Sequence, residues 1–217
     1  MNFEKARNTM VENQLRPNKI TDPRIFSAFK EIKKELFLQN DKQSLAYSDV
    51  DINLVKKRGY LKNLHIAQLI QNSNITKKDK VLHIGGLTGY VTSILSKLSN
   101  YVFVIENEED LLIKLKTNIS KLKLTNVRII NNDLKLGDEV NSPYDLIFID
   151  CPVINFPNQI LDQLNPNLGR LLMIEKIDFD LAKGIRTIRN KKNYSKEILF
   201  DAFSKFQLYQ NNKEFVF

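Results

Sequence analysis

A glycine-rich turn between an apolar strand and an apolar helix constrains this chain more than any other feature. Residues 81–98 read VLHIGGLTGYVTSILSKL. The apolar residues 81–84 predict a strand, and apolar side chains at helical spacing after Gly89 predict a helix. Glycine lets a backbone approach a ligand closely, and the first turn of a helix presents unpaired N–H groups to that ligand. The segment therefore predicts a cradle for a nucleotide-like ligand or, as the alternative, a glycine-softened turn with no ligand.

Acidic residues follow the strands that surround this turn. The predicted strand 101–105 leads to Glu106, and later strands lead to Asp133 and Asp150. Alternation of strands with helices predicts a parallel sheet, and such sheets bind ligands at the carboxyl ends of their strands. An acid about twenty residues beyond the glycine turn is where these folds bind ribose hydroxyls, so Glu106 is the candidate for that contact. Each carboxylate taken singly is also consistent with a loop cap.

The segments before the turn predict helices separated by an irregular stretch. Apolar residues at helical spacing predict an amphipathic helix over residues 1–15 that docks on the core. Asp22, followed by a proline, predicts the start of a second helix. Residues 45–60 have no clear period, and we expect an irregular segment there with an exposed turn at residues 56–59. A short helix is expected over residues 61–73.

The segments after the cradle continue the alternation and then change character. Beyond the predicted strand 144–149, the sequence predicts a proline-started helix over residues 157–164 and a strand over residues 171–175. Residues 184–189 and 194–200 flank a polar NKKN turn and predict an antiparallel hairpin. The chain is therefore expected to end its parallel sheet with a hairpin instead of a further crossover.

Composition limits the class of protein and its partners. The chain has 217 residues, one cysteine and a formal net charge of +8. This length fits one α/β domain, with an N-terminal helical region on the substrate side (residues 1–74) and a cofactor-binding core (residues 75–217). The single cysteine and the lack of a leader or a long apolar run predict a cytoplasmic protein without a membrane anchor. Short lysine clusters such as Lys33-Lys34 are interpreted as solvated, because no aromatic side chains interleave with them, and no nucleic-acid partner is expected.

The cradle resembles the (D/E)-x-G-x-G-x-G motif of S-adenosylmethionine-dependent methyltransferases. Over nearly its whole length the chain resembles, more narrowly, the protein-L-isoaspartate O-methyltransferases. The stretch MVENQLRPNKITDPRIFSAFKEIKKELFL is the most specific part of this match, because generic methyltransferases lack it. Further matches are AYSD at residues 46–49, NDL at 132–134, YDLI at 144–147, and FDA at 200–202 together with FVF at 215–217.

The resemblance implies a class I methyltransferase fold, which is a Rossmann-like, doubly wound α/β sheet, here with an N-terminal helical extension and a C-terminal β-hairpin. It implies S-adenosylmethionine as methyl donor and the free α-carboxylate of isoaspartyl residues in damaged proteins as substrate, so that methylation begins protein repair. The family pattern assigns Gly85, Gly89 and Tyr90 to the methionine end of the cofactor, Glu106 to its ribose and residues 133–134 to its adenine. The full set of candidate cofactor-binding residues is His83, Gly85, Gly86, Leu87, Gly89, Tyr90, Glu106, Asn107, Asp133, Leu134 and Asp150.

Three pocket positions depart from the family pattern. The substrate motif T-I-S-x-P aligns with YLKNL at residues 60–64, so that Lys62 replaces the serine, and Lys62 and Tyr60 are the candidate catalytic residues. Lys62 either attracts the substrate carboxylate or is an exposed lysine on a helix turn. His83 stands where the motif has an acid. Leu87 stands where it has the middle glycine, and leucine adopts a positive φ only at a cost.

These departures leave three functions open. The first is an S-adenosylmethionine-dependent protein carboxyl methyltransferase of the isoaspartate type. The second is a catalytically impaired or inactive relative that keeps the fold as a binding or interaction protein. The third is a nucleic-acid methyltransferase, for which Asp150-Cys151-Pro152 is a weak match because it lacks the second proline and the aromatic residue of the (D/N)-P-P-(Y/F) motif. His65, beside the substrate motif, either lines the pocket or packs against its neighbours.

Overall fold

The structure, a computed structural model, describes residues 1–178 and 181–208. Its α-helices are α1 (Phe3–Met10), α2 (Pro23–Glu31), α3 (Asn63–Asn72), α4 (Tyr90–Leu98) and α5 (Glu109–Lys121). Its strands are β1 (Ile52–Val55), β2 (Arg58–Tyr60), β3 (Lys80–Ile84), β4 (Tyr101–Ile105), β5 (Val127–Ile130), β6 (Leu146–Val153), β7 (Asn167–Lys176), β8 (Leu181–Asn190) and β9 (Asn193–Phe203). The last part of the C-terminal family match, residues 215–217, lies outside the described residues.

Seven of the strands form one sheet in the order β5-β4-β3-β6-β7-β8-β9. The strands from β3 to β7 pair in parallel, whereas β8 and β9 pair antiparallel and close the sheet as a hairpin. β6 is buried along its whole length, as expected for a central strand that is covered on both faces. The predicted parallel sheet and terminal hairpin are therefore confirmed, with hairpin strands longer than the sequence pattern indicated.

The N-terminal helices pack onto the hydrophobic core, as the amphipathic pattern predicted. Asp22 caps α2, because its Oδ1 accepts a hydrogen bond from the backbone N–H of Arg24 at 2.8 Å. α1 continues through one π-helical turn, Val11–Leu15, and the apolar residues Met10 and Leu15 are fully buried. Since α2 contacts α1, α3 and α4, the N-terminal segment shares one hydrophobic core with the strands.

The expectation of an irregular segment at residues 45–60 is wrong for its second half, which forms a hairpin of β1 and β2. Ile52 pairs with Tyr60, and the exposed turn contains Lys56 and Lys57 only, since residues 58 and 59 are buried. A Cβ on Gly59 would lie 2.1 Å from the carbonyl oxygen of Ile52, so the close approach of the two strands requires glycine there. The sequence concealed this hairpin because its strands are short and the charged run at residues 56–58 interrupts the apolar pattern.

Two further boundaries differ from the sequence expectation. Asp150, Cys151 and Pro152 do not follow the strand but belong to β6, where the register shifts between Ile149 and Pro152. At this bulge the sheet requires no backbone N–H from Pro152, so the strand continues past the proline. The proline-started helix is a 3-10 helix, Asn158–Gln163, instead of an α-helix.

Across residues 1–178 and 181–208, no helix combines the length and the apolar character that a membrane span requires.

Candidate functional site

The glycine turn joins β3 to α4 in a conformation that few other residues tolerate. Gly85 and Gly89 have φ values of +85° and +99°, in the left-handed region that favours glycine. Their neighbour Gly86 lies so close to β4 that a Cβ would stand 2.3 Å from Cγ2 of Val104. Leu87 also has a positive φ, +52°, and its side chain is buried. The turn therefore has the conformation that the motif predicts, and Leu87 adopts the strained positive φ within it.

Glu106 is the polar centre of this turn. Its carboxylate is fully buried and binds both terminal nitrogens of Arg58, at 2.9 and 2.7 Å. It also accepts hydrogen bonds from the backbone N–H groups of Leu87, Asn107 and Glu108, at 2.8, 3.0 and 3.1 Å. A carboxylate offers about four acceptor positions. The five N–H donors therefore occupy the acceptor capacity of Glu106 within the chain itself.

Arg58 is the main functional side chain that the sequence reasoning missed. It lies on β2 and is 8% exposed, and burial disfavours its charge. The bidentate contact with Glu106 outweighs burial and raises the pKa of the guanidinium above its ordinary value. No local signal in the sequence indicates this pairing, because Arg58 stands in a KKR cluster that resembles a solvated turn and is 48 residues from its partner.

The C-terminal end of the described chain covers the same turn. The backbone N–H of Leu208 donates to the carbonyl oxygen of Pro152 at 2.8 Å, and that of Gln207 donates to Lys57 at 2.9 Å. These bonds set the Leu208 side chain over the turn, where a Cβ built on Gly85 would lie 3.0 Å from its Cδ1. Phe206 and Leu208 are both buried. The space above Gly85 is thus filled by apolar atoms of this segment.

His83, which replaces the motif's acid, is part of a buried polar cluster. Its Nδ1 lies 2.9 Å from Oγ1 of Thr92, and its Nε2 lies 3.3 Å from Oδ1 of Asp150. Both His83 and Asp150 are at most 2% exposed. A carboxylate therefore remains beside the glycine turn, although it comes from β6 instead of β3.

The remaining candidate cofactor residues lie at the carboxyl ends of β4 and β5. Asn107 and Asp133 are exposed, whereas Leu134 is buried. The Asp133 carboxylate accepts a hydrogen bond from the backbone N–H of Lys135 at 2.9 Å and so caps its own loop. These positions are compatible with an adenine contact at the outer edge of the site, which stays a prediction.

Tyr60, one of the two candidate catalytic residues, links β2 to the start of α4. Its hydroxyl accepts a hydrogen bond from the backbone N–H of Tyr90 at 3.0 Å and lies 2.7 Å from Oγ1 of Thr88. Thr88 in turn donates to the carbonyl oxygen of Phe37 at 2.7 Å. Burial raises the pKa of the Tyr60 phenol, so that it stays protonated at neutral pH. The geometry gives Tyr60 a positioning role in the cradle.

Replacement of Tyr60 by phenylalanine is expected to lower the free energy of unfolding by about 1–2 kcal/mol, because the Tyr90 N–H then stays buried without an acceptor. Urea denaturation monitored by circular dichroism measures the loss. Tyr194→Phe is the matched control, since Tyr194 is 40% exposed and removal of its hydroxyl is expected to change the free energy of unfolding by close to zero. Equal stability of Tyr60→Phe and the unmodified chain would contradict the positioning role of the Tyr60 hydroxyl.

Lys62, the other candidate catalytic residue, stands before the first turn of α3. Its backbone N–H donates to Oδ1 of Asp51 at 2.9 Å, and its Nζ lies 3.7 Å from Oδ2 of Asp49. The Lys62 side chain is 26% exposed. Its cationic end is therefore available to a ligand only in competition with a neighbouring carboxylate.

A buried lysine lies directly beneath this substrate motif. Lys34 has no exposed surface, and its Nζ donates to Oδ1 of Asn63 at 2.9 Å and to the carbonyl oxygen of Leu61 at 3.4 Å. The ammonium also lies over the rings of Tyr60 and Tyr90. Burial lowers the pKa of Lys34 to about 7. The interpretation of the Lys33-Lys34 pair as solvated is thus wrong for Lys34.

His65 packs in the interior and does not line an open pocket. Its ring stacks on Phe200 with 5.7 Å between centroids and is 5% exposed. Burial lowers the pKa of His65 to about 4, so the imidazole is neutral at physiological pH. Of the two alternatives that the sequence left open, the structure favours the packing role.

The strand order, the glycine turn and the terminal antiparallel hairpin define a class I methyltransferase fold. A solved protein-L-isoaspartate O-methyltransferase superposes with a TM-score of 0.79, covering 96% of this chain and 66% of the other at 21% sequence identity. At that identity the likeness shows the fold alone.

Sequence comparison then narrows the class to one family. The family described as protein-L-isoaspartate(D-aspartate) O-methyltransferase matches residues 5–199. Protein-L-isoaspartate O-methyltransferase 1 of Pelobacter propionicus is 30% identical over 176 residues, covering 80% of this chain and 81% of the relative. The corresponding enzyme of Trichlorobacter lovleyi is 32% identical over 173 residues, covering 80% and 79%. The chain belongs to the protein-L-isoaspartate(D-aspartate) O-methyltransferase family.

The residue types of the site fit S-adenosylmethionine, the family's cofactor, but the arrangement described is closed to it. The Glu106 carboxylate, assigned to the ribose, has its acceptor positions filled by Arg58 and three backbone N–H groups. The surface of Gly85, assigned to the methionine end, is covered by Leu208. The residue types are those of a cofactor site, but the chain's own groups hold the positions that the cofactor needs.

Proposed function

We propose that the chain methylates the free α-carboxylate of isoaspartyl residues in damaged proteins, with S-adenosylmethionine as methyl donor, and so begins their repair. The observation that carries this proposal is the family match over residues 5–199, which includes the N-terminal substrate region as well as the core. The retained glycine turn and Glu106 supply the residue types that the reaction's cofactor requires.

The chemistry demands little of the side chains. A carboxylate with a pKa near 4 is already ionised at neutral pH, so the substrate needs no general base. Positioning of the reacting groups supplies most of the rate, with effective molarities on the order of 10⁵ M or more. The buried, protonated phenol of Tyr60 is consistent with a site that does not transfer protons.

Lys62 is proposed to bind the substrate carboxylate. At a separation of about 5 Å and an effective dielectric of about 20, the attraction is about 3 kcal/mol before desolvation. A lysine that pairs with the attacking oxygen holds it in the ground state and repels a cationic sulfonium, so tighter binding need not raise the rate. Asp49, at 3.7 Å from the Lys62 Nζ, reduces this attraction further.

Methyl transfer to a synthetic isoaspartyl peptide tests the proposal, and the same peptide with a normal aspartyl residue is the matched control. We expect transfer to the isoaspartyl peptide only. Lys62→Ser is expected to raise kcat and to weaken substrate binding, because the hydroxyl restores the family's hydrogen-bond donor and removes the competing charge. An unchanged or lower kcat in Lys62→Ser would count against this role of Lys62.

A second candidate function is a relative that has lost methyl transfer and keeps the fold for binding or assembly. The observation that favours it is the ion pair of Arg58 with Glu106, which occupies the expected ribose site. Failure of both the unmodified chain and Lys62→Ser to transfer methyl groups to the isoaspartyl peptide, with S-adenosylmethionine at millimolar concentration, would support this second candidate over the first.

The proposal also places the protein in the cytoplasm and assigns residues 1–217 to one methyltransferase domain. Its partners are isoaspartyl proteins or peptides and do not include nucleic acid. Filter binding to RNA and DNA at two salt concentrations tests the last point. Affinity that falls steeply with salt would favour a nucleic-acid methyltransferase instead.

A further inference from the structure

Two segments that are far apart in the sequence meet over the glycine turn. The β1–β2 hairpin contributes Arg58, and residues 204–208 contribute Leu208. The two segments are joined to each other by the hydrogen bond from the Gln207 N–H to the Lys57 carbonyl oxygen, at 2.9 Å. We call the Arg58 side chain together with residues 204–208 the plug. Neither part belongs to the sheet and helices that form the cradle.

The plug is held by a small number of specific contacts. Arg58 binds only one carboxylate, that of Glu106, and its Nε is buried without a hydrogen-bond acceptor in the described part of the chain. A buried guanidinium with an unused donor is only partly compensated for its lost hydration. Residues 204–208 attach to the rest of the fold through backbone bonds such as that of Leu208 to Pro152, through a hydrogen bond between Ser204 and Asp51, and through the buried side chains of Phe206 and Leu208. Because all of these contacts are made by one short segment outside the seven-stranded sheet, the segment can open without unfolding of that sheet.

The cradle beneath the plug does not depend on Arg58 for its shape. The N–H groups of Gly85 and Gly86 donate to the carbonyl oxygen of Ile105 at 2.9 and 3.0 Å. The Glu106 carboxylate keeps three backbone donors when Arg58 leaves. An opened chain would therefore present a preformed turn and an ordered carboxylate whose two oxygens are released from Arg58 toward ribose hydroxyls.

We propose that the plug is an internal, displaceable occupant of the cofactor site, in which the Arg58 guanidinium takes the place of the ribose hydroxyls on Glu106 and Leu208 takes the place of the cofactor over Gly85. The inference rests on the proposed function, because it concerns regulation of the same site. The apparent affinity for the cofactor is then the affinity of the open state multiplied by the fraction of molecules that are open. A closed state favoured 100 to 1 therefore weakens apparent binding about 100-fold. Cofactor binding and plug closure exclude each other.

Isothermal titration with S-adenosylhomocysteine measures this competition in the full chain. Arg58→Met keeps an unbranched apolar side chain at the position and frees Glu106, so we expect at least tenfold tighter binding than in the unmodified chain. Lys56→Met is the matched control on the same hairpin, since Lys56 is exposed and pairs with Glu108 at 3.3 Å, and the affinity of this variant should equal that of the unmodified chain. Equal affinity of the Arg58→Met variant and the unmodified chain would overturn the proposal.

Leu208→Ala tests the second part of the plug without disturbing the buried ion pair. We expect tighter binding in this variant as well, because the alanine side chain does not reach the surface of Gly85. If neither Arg58→Met nor Leu208→Ala binds S-adenosylhomocysteine at millimolar concentration while both remain folded by circular dichroism, the plug does not cover a cofactor site and the proposal fails.

Hydrogen exchange on the unmodified chain gives a readout that does not depend on any substitution. The backbone N–H groups of Gln207 and Leu208 are protected only while the plug is closed. Addition of S-adenosylhomocysteine should accelerate their exchange and slow that of the Leu87 N–H. Binding with unchanged protection of residues 207 and 208 would overturn the proposal.

These experiments separate the plug from the proposed function. Tighter binding in Arg58→Met without methyl transfer to an isoaspartyl peptide would support the plug and remove the proposed reaction. Methyl transfer by the unmodified chain with equal affinities in all variants would remove the plug and leave the reaction in place.

Discussion

Replacement of Glu106 by alanine is expected to destabilise the folded chain by about 3–5 kcal/mol, because the buried guanidinium of Arg58 then has no opposite charge. Three backbone N–H groups, those of residues 87, 107 and 108, lose their acceptor at the same time. The site's carboxylate thus stabilises the fold of the glycine turn in addition to any contact with a ligand. Urea denaturation monitored by circular dichroism measures the loss.

Glu108→Ala is the matched control for this substitution. Glu108 is a neighbouring acid whose ion pair with Lys56 is exposed, and such pairs contribute about 0–1 kcal/mol. Glu106→Gln should fall between the two, since the amide oxygen still accepts hydrogen bonds but carries no charge. A loss below about 1 kcal/mol in Glu106→Ala would mean that the buried pair contributes nothing to stability.

Lys34 is expected to make the stability of the protein rise as the pH increases from about 7 to about 10. Burial lowers the pKa of Lys34 to about 7 in the folded chain, against 10.5 in the unfolded chain, although Asp51 and Asp150 oppose the shift. Between these values the unfolded chain holds the proton and the folded chain does not, so unfolding takes up a proton and becomes less favourable as the pH rises. Below about pH 7 the cost of burying the charged ammonium is present in full.

Lys34→Met removes this titration and tests it. Because the buried charge is most costly at low pH, the stability of Lys34→Met relative to the unmodified chain should fall by about 3 kcal/mol between pH 7 and pH 10. Lys33→Met, at the exposed neighbouring position, should follow the unmodified chain at every pH. Urea denaturation at pH 6, 7, 8, 9 and 10 measures the three curves. Parallel curves for Lys34→Met and Lys33→Met would contradict a lowered pKa of Lys34 in the folded chain.

Two residues of the glycine motif, His83 and Leu87, differ from the family pattern, and the structure accommodates both. His83 in place of an acid is accommodated, since the Asp150 carboxylate lies 3.3 Å from its Nε2. Leu87 in place of glycine is accommodated by a positive φ with a buried side chain. Neither substitution disrupts the turn. The site is closed instead by Arg58, at a position outside the glycine motif.

The sequence by itself determined the sheet, the cradle and the family. Apolar periods and glycine spacing are local properties, so residues 81–98 predict β3, its turn and α4 without knowledge of the rest of the chain. The capping pattern at Asp22 and the NKKN turn before β9 are local in the same sense. The boundaries of β6 were less predictable, because a bulge allows a proline inside a strand.

Only the tertiary structure decided what occupies the site. Arg58 and Glu106 are 48 residues apart, and Lys34 and Asn63 are 29 residues apart. From the sequence alone, charged residues of this kind are predicted to be solvated, since burial of a charge is unfavourable unless a distant partner compensates it. The packing of the whole chain decides whether such a partner lies beside the charge, and no local sequence pattern indicates it. The cradle was therefore visible in the sequence, and the groups that fill it were not.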